Sequence, residues 1–97
     1  MKTVFIAYNQ ALTEAINAIL DRHSIRGYTK WGNVQGRGSY NGEPHFGTHT
    51  WPAMNAAILA IMDEAKVEPL LTSLKKLDAK AEQQGLRAFV WNCEQMI

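Results

Sequence analysis

Residues 53–62, Ala-Met-Asn-Ala-Ala-Ile-Leu-Ala-Ile-Met, decide the fold. Ala and Met favour a helix by propensity, the length of the run suits a buried strand, and periodicity does not separate the two. The segment that follows resolves the ambiguity. In residues 66–84, Val67, Leu70, Leu71, Leu74, Leu77 and Ala81 make one apolar helical face, with Lys75, Lys76, Lys80 and Glu82 largely away from it. Two helices joined by Asp63-Glu64 alone would leave the earlier strands poorly paired, so 53–62 is read as a strand. Pro69 fits the first turn of the helix, and Gly85 is the expected C-cap.

Working outward, residues 3–8 are rich in β-branched and aromatic types and end at an Asn turn signal, which predicts a first strand. From 10 to 23, Leu12, Ile16, Ile19 and Leu20 recur at spacings of three and four, which predicts a helix with Asn9 as its N-cap and His23 at its C-terminal end. Residues 25–34 read as a second strand and 86–92 as the last. The order is βαββαβ in a single domain spanning 1–97. That is an α+β, ferredoxin-like pattern: a four-stranded antiparallel sheet with two helices on one face and a long loop between strands 2 and 3.

The first and third strands are apolar on both sides. Thr3, Phe5 and Ala7 alternate with Val4, Ile6 and Tyr8, and Met54, Ala56, Ile58, Ala60 and Met62 alternate with Asn55, Ala57, Leu59 and Ile61. A sheet with one wet face shows polar residues at every second position. Two helices hide one side, so the other is expected to be covered by further copies of the chain.

Composition narrows the function classes. The chain has 97 residues, 46% hydrophobic and 20% charged, with 10 Lys+Arg against 9 Asp+Glu and a formal charge of +1. Such a balance gives no electrostatic footprint for nucleic acid. The longest apolar run, 56–62, is far below the ~20 residues of a spanning helix, and no signal peptide is legible. A cytoplasmic protein without direct membrane insertion is expected. No paired carboxylates, Ser-His-Asp set or Walker-type loop is found, and the single Cys93 is read as a small packing residue rather than a nucleophile, so the chain is not expected to be an enzyme.

Five of the seven glycines fall in residues 32–52, with Pro44 and Pro52, and a loop of that length is commonly functional. Gly36-Arg37-Gly38 is suited to an anion: glycine lets backbone N–H groups converge, and arginine offers a planar bidentate donor. His45 and His49 are candidate metal ligands, although Pro44 and Gly47 argue against a helix and Glu43 is the one acid beside them, so other subunits would have to complete a site. Two surface histidines in a loop are the alternative. Trp31, Trp51, Trp91 and Tyr40 suit either an aromatic pocket or packing, with Trp51 beside Pro52 pinning the loop's return.

Ile25-Arg26-Gly27-Tyr28-Thr29 followed by Val34-Gln35-Gly36-Arg37-Gly38 resembles the passage of the PII signalling superfamily in which an I-x-G-M-T strand enters a V-K-G-F-G-R-Q-K-G loop. Thr50-Trp51-Pro52-Ala53-Met54-Asn55 is similar to the small PII-like proteins associated with heavy-metal efflux. The resemblance implies a homotrimeric regulator with ligand clefts between subunits, Thr29, Gly36, Arg37 and Gly38 facing the cleft, and a T-loop at 36–52 that reports ligand state to a partner, here a membrane efflux transporter. Where the family has a T-G-x-x-G-D-G-K-I-F phosphate loop, this chain has Ala79-Lys80-Ala81-Glu82-Gln83-Gln84-Gly85-Leu86-Arg87-Ala88-Phe89, with one glycine. The ligand implied is a nucleotide held without that loop, or a transition metal. The alternative resemblance is to the metal-binding trimers of the divalent-cation-tolerance (CutA) family.

Overall fold

The computed structural model describes residues 1–38, 40–81 and 84–97. Its elements are β1 (Lys2–Asn9), α1 (Thr13–Arg22), β2 (Tyr28–Val34), β3 (Asn55–Met62), α2 (Val67–Lys80) and β4 (Arg87–Asn92), with 3-10 turns at Gln10–Leu12 and Glu64–Lys66. The predicted order holds, and the ambiguous 53–62 segment is a strand from Asn55 onward, with Met54 in an isolated bridge to Phe46. The sheet runs β2-β3-β1-β4, with every neighbour antiparallel.

Alternation along β1 and β3 divides the molecule. Val4, Ile6 and Tyr8 from β1 and Ala56, Ile58 and Ala60 from β3 meet Ile16, Ile19 and Leu20 of α1 and Val67, Leu70 and Leu74 of α2 in one core. On the opposite face, cross-strand register sets two ranks: Trp31, Ala57, Ala7 and Arg87, then Thr29, Leu59, Phe5 and Phe89. No described helix covers these ranks. Trp31, Phe89 and Trp91 are 45%, 54% and 49% exposed.

Local chemistry moves the helix ends. Asn9 does cap, accepting from the Ala11 N–H at 2.9 Å, but the turn it caps is 3-10 and α1 begins at Thr13; the Gln10 N–H, which has no partner within the turn, donates to the Met54 carbonyl of the neighbouring connection. His23 is the C-cap of α1; its Nε2 lies 2.7 Å from Ser73 Oγ on α2, and Lys66 Nζ donates to the Ser24 carbonyl. The predicted end of α2 is corrected. The helix stops at Lys80 with Ala81 as C-cap, so Gly85 lies beyond the cap; Glu82 and Gln83 fall outside the described residues. Gly85 has φ +71° and packs backbone to backbone on Gly38, where a Cβ would come within 2.5 Å of Gly85 Cα. Its left-handed backbone, together with the close approach of Gly38, rather than helix termination, favours glycine there.

The segment between β2 and β3 is also more ordered than a plain loop. Gly36 and His45 exchange both backbone hydrogen bonds, at 2.7 and 3.0 Å, and Phe46 bridges to Met54. At the tip, Thr48 N–H donates to the Trp51 carbonyl and Trp51 N–H to Thr48 Oγ1, so Trp51 does sit at a return turn. Cys93 is half-buried and donates to the Gln95 carbonyl at 3.4 Å.

Leu70 is fully buried at the centre of α2's contact with the sheet, so Leu70→Ala is expected to cost about 2–5 kcal/mol in urea unfolding. A loss below about 1 kcal/mol would mean that α2 is not seated as described. Tyr8 is fully buried, and its hydroxyl makes no well-formed hydrogen bond among the described residues. Burial raises its phenol above 10.0, outweighing the lowering by the Thr13 side chain. An acid whose folded pKa is raised gives stability that is present below the unfolded pKa and lost as pH climbs past it. Tyr8→Phe is therefore expected to leave stability at pH 7 equal or higher and to blunt the loss above pH ~10, read from unfolding curves at pH 7 and about 10.5.

Candidate functional site

The uncovered sheet face holds a cavity of about 580 Å³ at the end where β2 runs into the loop. Its cause is a size pattern. Ala7 and Ala57 are neighbours in the middle of one rank, with Trp31 on the β2 side and Arg87 on the β4 side, so two small residues leave a trough between large ones. Phe5 and Phe89 close the trough along the strands, and Gly36, Arg37, Gly38 and Gly85 form its far wall.

Three of the four residues expected to bind a ligand meet here: Gly36, Arg37 and Gly38 line the cavity. Thr29 does not; it is exposed on β2, in the rank beyond the trough. Arg87, which sequence reasoning did not single out, lines it from the opposite edge, with its guanidinium held by a 2.7 Å bond to the Leu86 carbonyl. The available signal was the strand alternation that puts Arg87, Phe89 and Trp91 on one face. No carboxylate lies among the described residues of the lining, so two arginines, with the amides of Gln35 and Asn55, face a trough that is otherwise mostly apolar and aromatic. Such a site takes a ligand with an anionic end and a flat apolar body.

The two candidate metal histidines occupy different settings. His49 is exposed in the 48–51 turn, whereas His45 is 4% exposed and its Nδ1 lies 2.6 Å from Oδ1 of Asn55. The surface setting considered for both therefore holds for His49 alone, since His45 is drawn inward by its backbone pairing with Gly36. Among the described residues no group of three or more His, Cys, Asp or Glu is arranged to hold a metal. Asn55, also passed over in the sequence, is 5% exposed and lines the cavity beside Gly36. No described helix is long and apolar enough to cross a membrane.

Known proteins share this architecture. Among curated proteins no significant sequence match is found. CPII, a nitrogen regulatory PII-like protein from Thiomonas intermedia K12 solved with ADP, AMP and bicarbonate, is 28% identical at a TM-score of 0.73, over 93% of this chain and 82% of its own. Its apo form is 27% identical at 0.71, over 93% and 85%. A PII-like signalling protein from Thermus thermophilus shares the fold at 19% identity and a TM-score of 0.64, over 93% and 83%. The family model for nitrogen regulatory protein P-II matches residues 1–97, and the chain belongs to that family of regulatory and signalling proteins.

Proposed function

We propose that this chain is a cytoplasmic, homotrimeric regulator, acting by binding rather than catalysis, that holds an adenine nucleotide in the trough over Ala7 and Ala57 and presents residues 36–52 to a partner. The observation that carries the reading is the acid-free, two-arginine lining of an aromatic cavity, taken over its described residues. Arginine matches phosphate oxygens in a bidentate fork, and an aromatic wall suits a stacked base. CPII, bound to ADP and AMP, supplies the precedent within the family. Trimerisation answers the uncovered face: Trp31, Phe89 and Trp91 are half-exposed around the trough, and a neighbouring copy laid against them would enclose the ligand.

The absence of a glycine-rich phosphate loop shifts the phosphate contacts onto Arg37 and Arg87. The described residues favour a nucleotide over the metal-binding trimer of the CutA type, because the His45 ring is buried against Asn55 and apart in setting from His49. The partner surface is the tip of the long segment, where Tyr40 is 95% exposed and Phe46 and Trp51 are partly so. A membrane efflux transporter is the partner class suggested by the sequence resemblance.

Titration calorimetry with ADP and AMP tests the site. Saturable heat is expected for the wild type, with Arg37→Ala and Arg87→Ala each weakening ADP by about 10-fold or more, the weight of a hydrogen bond to a charged group. No heat with either nucleotide, or undiminished ADP binding in the double variant, would contradict the reading.

A further inference from the structure

Among the described residues, Asn55 is the one side-chain amide that is almost wholly buried and also lines the cavity. A buried amide is stable only when its polar atoms are engaged. Half of it is: Oδ1 accepts from Nδ1 of His45 at 2.6 Å. That bond places the proton on Nδ1 of His45 and turns the amide so that Nδ2 lies over Gly36, where a Cβ would overlap it. Nδ2 donates to none of the described residues, and it is not among the sealed side-chain atoms left without a partner, in keeping with its place in the cavity lining. Its two N–H donors stand beside Gly36 at the wall of a cavity whose charged groups among the described residues, Arg37 and Arg87, are also donors.

We infer that Asn55 is a ligand-reading residue of this cavity, donating from Nδ2 to an oxyanion oxygen of the bound nucleotide, and that His45 is the positioning residue that fixes the amide in that orientation. The inference rests on the nucleotide reading of the site and goes beyond it. His45 suits the positioning role because it is held on three sides. Its backbone is paired twice with Gly36, its ring bonds Asn55 at the start of β3, and its Cε1 lies 3.9 Å from where a Gly85 Cβ would stand. A ligand oxygen on Nδ2 completes the amide, so binding and the seating of His45 against the loop base support each other, and by linkage each strengthens the other. The far limb of the long segment, from 45 to 54, already paired with Gly36 through the His45 backbone, is thereby also joined to the site through the His45–Asn55 hydrogen bond.

Calorimetry with ADP and with adenosine, which shares the base and sugar and lacks phosphate, tests this. Asn55→Asp removes the donor and adds a negative charge, so ADP affinity is expected to fall more than about 10-fold while adenosine changes little. Asn55→Ala, the second variant should the aspartate fail to fold, is expected to lower ADP about 10-fold by the same selective pattern. His45→Phe, which keeps a flat ring and loses the donor, is expected to weaken ADP and speed tryptic cleavage at Arg37, and His45→Gln, which restores a donor, to recover both. Equal losses for ADP and adenosine, or unchanged ADP binding, in folded Asn55 variants would overturn the inference while leaving the nucleotide reading intact. A wild type that binds neither compound would overturn both.

Discussion

A four-stranded sheet with two helices on one side has a second side, and in this chain that side is apolar. Val4, Ile6 and Tyr8 are fully buried under the helices, while Phe5, Ala7, Ala57 and Leu59 of β1 and β3 face away from them. Full burial of a large apolar side chain contributes roughly 1.5–3 kcal/mol, so half-exposed Trp31, Phe89 and Trp91 retain on the order of 1 kcal/mol each to be gained by covering. The same face supplies the site. Two alanines between Trp31 and Arg87 turn a flat apolar surface into a trough, and the long segment leaving β2 walls it at one end. The proposed assembly and the proposed ligand site thus draw on a single structural fact.

The glycines at that wall are fixed by contact. Gly38 and Gly85 touch backbone to backbone, which draws the connection after α2 against the base of the long segment; Gly36 leaves room for the Asn55 amide. Glycine here is permissive of close approach, and what it admits is a clasp of three elements around His45. In the proposed reading, that position registers both the ligand and the segment's conformation.

Much of this is legible in the sequence. Alternation in 3–8 and 53–62 discloses both faces of the sheet, and the stripe from Val67 to Leu77 settles the strand before it. The Gly36-Arg37-Gly38 wall follows from residue type and place. What escapes lies in contacts between distant parts of the chain. Gly85 resembles a helix cap until Gly38 is seen against it, and the end of α2 moves accordingly. Arg87 reads as one strand residue among several until register sets it across Ala7. His45 and His49 look alike in a loop, and only the pairing of His45 with Gly36 buries one and leaves the other exposed. Asn55 looks like a polar lapse in an apolar strand, although a buried amide at a strand's first position is a signal in itself.

We propose that copies of this chain complete the open sheet face. Light scattering coupled to size exclusion measures it most directly. A single species at three times the chain mass is expected, which Trp31→Glu on the open face converts to smaller ones. A monodisperse monomer with the wild-type chain folded would contradict it.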